Sequence, residues 1–268
     1  MRNILLSGVL LTLYLLLSSH ELFLKTERYF LSPGQATDLF LYNGTFDTSE
    51  NTITRDRIVA SHIWGPEYQY QPQAGDYRDE GDVTFLRIET GGAGTYVAGI
   101  STRPRTIELD AAAFRDYLTH EGLTDILAAR EDQGRADQPA RESYAKHVKA
   151  LLQVGEARSD HYGMVLGYPI EFVPLRNPYD LRPGESISFQ LLRDGKPLGN
   201  QVVHYSVRQP GERSGSERSL RTDARGRLTI VPEQAGQWYL ATIHMTEHPE
   251  ADLDYASQWA TLTFAVQE

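Results

Sequence analysis

The amino-acid sequence predicts a mainly β protein made of two β-sandwich domains joined by a helical insert. Two observations support this prediction. Short runs of alternating apolar and polar residues, separated by turn residues, fill 20–109 and 156–268, as half-buried antiparallel strands require. Between them, 110–155 changes to strong helix formers at helical spacing.

The amino terminus predicts a secretory signal peptide over residues 1–19. Arg2 precedes an uncharged, leucine-rich stretch over 4–17, and two small serines follow it. This stretch is shorter than the roughly 18 residues that a membrane-crossing helix needs. Cleavage after Ser19 is therefore the favoured interpretation, and an uncleaved anchor is the alternative. We expect a periplasmic protein whose mature chain starts at His20 and has no membrane span.

Composition narrows the possible functions. The chain has 268 residues, a formal net charge of -10 and no cysteine. The acidic balance argues against a nucleic acid as partner, because nucleic-acid binders need clustered Lys and Arg. The lack of cysteine excludes disulfides and thiolate metal sites, so any metal must be held by nitrogen and oxygen atoms.

The predicted first sandwich, 20–109, contains several strand-like runs. LFLK and TDLFLYNG flank the turn signal Ser32-Pro33-Gly34, and RIVASHIW, DVTFLRIE and TYVAGIST continue the alternation. Within 56–89, the segment GPEYQYQPQAGDYRDEGD is polar and rich in Gly and Pro. It predicts a long exposed loop.

The insert, 110–155, is predicted to be helical, with the polar break DQGRADQ before its last helix. Asp110 caps AAAFRDYL, and LTDILAARE follows Gly122. Pro139 then predicts the first turn of a third helix, with an apolar stripe that ends at Gly155. The stripe is interpreted as a face that packs against a neighbouring domain, with a partner-binding helix as the alternative. Four residues form it: Tyr144, Val148, Leu151 and Leu152.

The predicted second sandwich, 156–268, is expected to be immunoglobulin-like or prealbumin-like. Pro183-Gly184 and Asp194-Gly195 mark turns between strand-like runs. Regular strand spacing over roughly 100 residues is typical of a seven-stranded sandwich.

Three segments carry a family resemblance: HELFLKTERYFLSPGQ, YAKHVKALLQVG and VPLRNPYDLRPGESISFQLLRDGKPL. They resemble a bacterial periplasmic family of unassigned function, catalogued as the periplasmic component of nickel or cobalt uptake. The resemblance covers nearly the whole mature chain and implies a metal role, with a metal-uptake transporter as partner. It also implies a mature start at histidine, here His20, and a late His-Met pair, here His244 and Met245. Leu22 departs from the aromatic residue that the family pattern has there.

His20 is the first candidate metal ligand. Cleavage after Ser19 gives it a free α-amine beside its imidazole, and these two groups can close a chelate ring around a divalent cation. Nitrogen ligands of this kind suit Ni(II), Co(II), Cu(II) and Zn(II). The alternative is that the signal peptide ends before a histidine that has no role.

The segment from His244 to His248, HMTEH, supplies further candidates. It matches the H-x-x-E-H string of zinc peptidases. However, WYLATI before it predicts a strand and Pro249 ends the segment, so its two histidines do not share a helical face. We expect no peptidase, and we keep His244, Glu247 and His248 as candidate metal ligands, with a solvated hairpin as the alternative.

The remaining histidines give weaker signals. His62 alternates with Trp64 on a predicted strand and is either a metal ligand or a core residue. His204 is expected to point to solvent, opposite an apolar strand face. Surface positions are also expected for three others: His120, His147 and His161.

These features together predict a periplasmic protein that binds or delivers a transition metal, nickel or cobalt first, with copper or zinc as further options and without catalysis. No motif for nucleophilic catalysis or nucleotide binding occurs. A protein-binding or glycan-binding module is one alternative, with an exposed aromatic surface around Tyr68, Tyr70 and Tyr77. A copper oxidase with His20 in a histidine brace is another, and it requires a second histidine close by.

Overall fold

A computed structural model of the protein describes residues 21–250 and 252–268. The predicted signal peptide lies outside these ranges. Within them, the chain is mainly β, with sheets packed face to face and two short helices inside the predicted insert. The predicted fold class, a β-sandwich type with a helical insert, is therefore confirmed. None of the helices in the described ranges has the length and apolar character needed to cross a membrane.

The described chain contains nineteen strands and two α-helices. The strands before the helices are β1 (Glu21–Lys25), β2 (Phe30–Leu31), β3 (Ala36–Gly44), β4 (Ser49–Asn51), β5 (Ile58–Gly65), β6 (Tyr68–Tyr70), β7 (Tyr77–Glu80), β8 (Val83–Glu89), β9 (Gly94–Thr102) and β10 (Arg105–Leu109). The helices are α1 (Ala111–His120) and α2 (Thr124–Asp132). The later strands are β11 (Ala140–Val154), β12 (Ile170–Pro174), β13 (Ile187–Arg193), β14 (Lys196–Pro197), β15 (Val202–Arg208), β16 (Arg218–Arg221), β17 (Arg227–Ile230), β18 (Gly236–Glu247) and β19 (Tyr255–Val266).

The described strands form three sheets. The first has the order β1-β3-β8-β7, with β4 paired to β3. The central sheet has the order β16-β15-β18-β19-β11-β9-β5-β6, with β10 and β2 also paired to β11. The third has the order β12-β13-β14, with β17 paired to β13. The central sheet therefore takes strands from both predicted sandwiches and joins them through backbone hydrogen bonds.

The first and third sheets cover opposite faces of the central sheet, as two successive residues of β19 show. Thr263 Oγ1 donates to the Leu24 carbonyl in β1 at 2.6 Å. Phe264 packs against Phe189 of β13, with ring centroids 5.7 Å apart. Because successive side chains of a strand point to opposite faces, the middle of the central sheet is buried on both sides.

The predicted third helix is wrong, because 140–154 forms the long strand β11. This strand pairs in parallel with β19 and antiparallel with β9 and β10. Every residue from Ala145 to Val154 is buried. A strand covered on both faces has apolar residues on both, so its sequence lacks the alternation of a half-buried strand. That is why Tyr144, Val148 and their apolar neighbours gave a helical pattern.

Two smaller expectations are also corrected. His147 is buried in β11, with Nδ1 2.8 Å from Ser101 Oγ and Nε2 2.7 Å from Gln258 Oε1. It is not a surface group, because the third sheet covers its face of β11. The predicted long loop within 56–89 contains the short strands β6 and β7, although many of their residues are exposed.

Local turn and cap signals in the sequence hold in the structure. Asp110 is the N-cap of α1, where its Oδ1 accepts a hydrogen bond from Ala113 N at 2.8 Å. Asp194 and Gly195 have φ angles of 49° and 72°, and this conformation closes the hairpin between β13 and β14. These features depend on residues close in sequence, so they are visible without the tertiary structure.

A buried ion pair links the central sheet to the third sheet. Lys149 Nζ lies 3.0 Å from Glu171 Oε2, and each side chain is 1% exposed. The same Nζ donates to the carbonyls of Met164 and Phe172. The Glu171 carboxylate also accepts backbone N–H bonds from three residues: Leu166, Gly167 and Tyr168. Burial lowers the pKa of Lys149, and the charge of Glu171 opposes that shift.

Replacing Lys149 by Met should lower the free energy of unfolding by about 3 to 5 kcal/mol, because the Glu171 carboxylate would stay buried without its cation. Urea unfolding followed by circular dichroism measures this loss. Arg176→Met is the matched control, since it removes an exposed ion pair with Glu185, and we expect no measurable change. A Lys149→Met protein as stable as the parent would show that the pair does not hold the two sheets together.

Gly65 marks a close approach between β5 and the core. A Cβ atom added there would lie 2.4 Å from the ring of Tyr96, which is 1% exposed. We expect Gly65→Ala to destabilise the protein by about 1 to 3 kcal/mol, because the buried ring cannot move without repacking. Thermal unfolding tests this expectation, with Gly75→Ala as control because no atom lies within 4 Å of its added Cβ. Equal melting temperatures for the two variants would contradict it.

Candidate functional site

The structure describes four of the five predicted metal ligands, and each of the four has its own surroundings. His20 lies outside the described residues. His62 is in β5, where its ring stands edge-on to Trp64 with centroids 5.8 Å apart. Among residues 21–250 and 252–268, no group of three or more His, Asp or Glu side chains is arranged to hold a metal ion.

The HMTEH segment is mostly strand, as expected. His244 and Glu247 both lie in β18, and residues three apart on a strand point to opposite faces. His244 Nδ1 is 3.1 Å from Gln201 Oε1, while Glu247 Oε1 is 3.2 Å from a guanidinium nitrogen of Arg135. His248 Nδ1 accepts a backbone hydrogen bond within its own turn. Their role as metal ligands stays a prediction.

A different set of titratable side chains meets over one face of β15, and we call it the His204 cluster. It consists of His120, Glu121, His204, Glu217 and Tyr239. His204 Nδ1 lies 3.1 Å from Glu217 Oε1, and its Nε2 lies 4.0 Å from Glu121 Oε2. The ring of His120 stacks over that of His204 with centroids 6.4 Å apart. Tyr239 Oη donates to Glu217 Oε2 at 2.8 Å.

The cluster forms because α1 ends over this face of the central sheet. His204 pairs with Ala241 of β18, and Glu121 follows directly after the last residue of α1. The expectation that His204 points to solvent is wrong, since only 9% of it is exposed. Strand alternation correctly places His204 and Val203 on opposite faces of β15. It cannot show that a helix end covers the face with His204.

Charges within the cluster shift its titration. Burial by itself lowers the pKa of His204, but the hydrogen bond and charge of Glu217 outweigh it, so the pKa is raised. Burial by itself raises the pKa of Glu217, but its bonds to His204 and Tyr239 outweigh it, so that pKa is lowered. The carboxylate of Glu217 therefore stays ionised and favours a proton on His204 Nδ1.

The first described residue of the chain lies beside this cluster. Glu21 begins β1 and pairs with Gly44. Burial raises the pKa of Glu21, and the carboxylates of Glu121 and Glu217 raise it further. Phe23, two residues further along β1, packs edge-on against the ring of Tyr239, a member of the cluster, with centroids 5.0 Å apart. The start of β1 therefore lies close to the His204 cluster.

A cavity of about 540 Å³ opens between the first sheet and the helix-covered part of the central sheet. We call it the aromatic cavity. Its lining includes Arg57, Tyr117, Glu142, Tyr144, Lys146 and Trp259. The rings of Tyr117 and Trp259 are nearly parallel, at 10° and with centroids 6.0 Å apart. Its volume is that of a site for a small organic molecule.

Two oppositely charged groups in the cavity titrate near neutral pH. Burial raises the pKa of Glu142 to about 7, although hydrogen bonds from Ser257 and Tyr117 oppose the shift. Burial, together with the charge of Arg57, lowers the pKa of Lys146 to about 7. Lys146 Nζ donates to Asn43 Oδ1 at 2.9 Å.

The tyrosines proposed as an exposed aromatic surface make hydrogen bonds or pack against the core. Tyr68 Oη donates to the Glu89 carbonyl at 2.5 Å, and Tyr70 Oη donates to Asp76 Oδ2 at 2.6 Å. Tyr77 is partly buried against the main core. Each of the three rings is partly buried, and the binding-module alternative stays a prediction.

Comparison with known proteins places the chain in a family without an assigned role. Among solved structures it is similar to a marsupial T cell receptor at 10% identity, over 88% of this chain and 70% of that chain, with a TM-score of 0.19. No protein with a curated description matches it. A family model described as a domain of unknown function (DUF4198) matches residues 17–246. The chain belongs to the DUF4198 family.

Proposed function

We propose that this protein is exported to the periplasm, loses residues 1–19, and binds a divalent transition metal for uptake. The metal site consists of the new terminal amine and imidazole of His20, together with His204 and Glu121. The observation that carries the proposal is the position of Glu21. This residue starts β1, and β1 contacts the His204 cluster through the ring pair of Phe23 and Tyr239.

Covalent geometry connects the predicted cleavage site to the cluster. Neighbouring Cα atoms in a chain are about 3.8 Å apart, so the Cα of His20 is that close to the Cα of Glu21. Cleavage after Ser19 would create a free amine at this point. The predicted signal peptide and the proposed metal site would then be linked, because export would produce one of the ligands.

His204 has the surroundings of a metal-binding histidine. Metal-ligating histidines usually give the proton of their other ring nitrogen to a carboxylate, and Glu217 lies 3.1 Å from Nδ1. The opposite nitrogen, Nε2, is buried and has no hydrogen-bond partner among the described residues. A buried nitrogen of this kind is stabilised by a ligand that accepts its lone pair.

The donor set fits a transition-metal ion of borderline hardness. Two nitrogens of His20, the Nε2 of His204 and a Glu121 oxygen make a mixed nitrogen and oxygen set, which suits Ni(II), Co(II), Cu(II) and Zn(II). Nickel or cobalt is the proposed cargo, because the family resemblance implies nickel or cobalt uptake. A metal-uptake transporter is the proposed partner.

The free amine of His20 can be tested by extending the chain. We expect the mature protein to bind one Ni²⁺ or Co²⁺ per chain, and a variant with one alanine ahead of His20 to bind at least about tenfold more weakly, because the amine then moves one residue away. Isothermal titration calorimetry gives both affinities, and mass spectrometry of the exported protein gives the processed start. A start other than residue 20, or equal affinities for the two forms, would overturn the proposal.

The role of the His204 cluster can be tested separately. His204→Phe should remove a ligand, and Glu217→Gln should weaken metal binding by about 10- to 100-fold, because the carboxylate no longer orients the ring. Binding should also weaken on acidification through the raised pKa of His204, since the protonated ring has no lone pair to donate. His248→Ala is the control, because His248 is a partly exposed histidine outside the cluster. If it weakens binding as much as His204→Phe does, the site lies elsewhere.

A further inference from the structure

The aromatic cavity has features of a binding site that metal binding does not use. We infer that it binds a small organic anion, namely a carboxylate attached to a planar, apolar body. The inference stands apart from the metal proposal, since it rests on Arg57, Lys146 and the aromatic walls. None of these is a proposed metal ligand.

Two buried basic side chains face the cavity, and Lys146 is fully protonated only below its pKa of about 7. Lys146 is 4% exposed and Arg57 is 5% exposed, and both line the cavity. The Nε of Arg57 is buried without a hydrogen-bond partner among the described residues. Burying a polar N–H group without an acceptor is costly, so an anion that accepts from Arg57 would be stabilised there.

The walls beside these cations are aromatic. Trp259 and Tyr117 are stacked on each other, and Tyr144 adds a third ring, with its centroid 6.5 Å from that of Trp259. All three residues line the cavity, and their rings give its wall an apolar surface. The cavity therefore combines a cationic part that suits a carboxylate with an apolar part that suits a ring.

The same rings argue against a cationic ligand. Lys146 Nζ lies 5.1 Å from the ring centroid of Trp259 and 5.6 Å from that of Tyr144, which is within the range of a cation–π contact. Arg57 lies 5.3 Å from the Tyr144 centroid. An ammonium ligand would meet these cations of the protein at the aromatic faces.

Glu142 is the buried carboxylate of the cavity and opposes an anion. Its carboxylate accepts hydrogen bonds from Ser257 Oγ and, at 3.3 Å, from Tyr117 Oη. These bonds hold it within the aromatic wall, so it does not close off the cationic part. Two carboxylates line the cavity, Glu142 and Asp82, and of these Glu142 is the buried one. Removing the charge of Glu142 should therefore strengthen anion binding, while removing Lys146 weakens it.

Benzoate is the probe, and benzyl alcohol is the neutral control of similar shape. Calorimetry with the purified, metal-free protein at constant ionic strength should show benzoate binding with one site per chain. Benzyl alcohol should bind at least about tenfold more weakly, because it lacks the charge that makes the hydrogen bonds strong. A change in tryptophan fluorescence that is lost in Trp259→Phe should place the probe in the cavity.

Three variants test the direction in which each charge changes benzoate affinity. Lys146→Met should weaken benzoate binding by about tenfold or more, Glu142→Gln should strengthen it severalfold, and the exposed control Lys196→Met should leave it unchanged. Circular dichroism verifies that each variant is folded. The inference is overturned if benzoate does not bind at millimolar concentration, if benzyl alcohol or benzylamine binds equally well, or if Glu142→Gln weakens binding. Because metal is absent, none of these results depends on the proposed function.

Discussion

The pairing of β11 with β19 is the constraint on which the rest of the structure depends. The two strands run parallel, from Glu142 opposite Tyr255 to Ala150 opposite Thr263. Parallel strands need a crossover connection, and here that connection contains the whole third sheet. The pairing therefore joins the two halves of the chain in one central sheet, and the first and third sheets can each bury one of its faces.

Because the central sheet is buried on both faces, its charged side chains need partners from the outer sheets. Lys149 of β11 is neutralised by Glu171 on the third-sheet side. Lys146, three residues earlier, points to the opposite side and bonds to Asn43 of β3. A buried charge is tolerated only where a partner is supplied, so these lysines fix how the outer sheets sit on the central one.

Both candidate sites lie on the same side of the central sheet, the side covered by the first sheet and by α1. The His204 cluster lies where α1 ends over β15, and the aromatic cavity lies between the first sheet and β11. The two are electrostatically connected, because the charge of Lys146 lowers the pKa of Glu21 while Glu121 and Glu217 raise it. An anion bound beside Lys146 would therefore change the electrostatic field at the start of β1.

The sequence by itself determined the β class, the turns such as Asp194-Gly195 and the Asp110 cap, because these follow from residues close along the chain. It also pointed to His20 as a ligand, through the predicted cleavage. Only the tertiary structure decided that β11 is a strand, because burial on both faces erases the alternation by which a strand is recognised. It alone brought His204 together with Glu121 and Glu217. Glu121 is far from the other two in sequence, and no local pattern encodes the helix end that covers them.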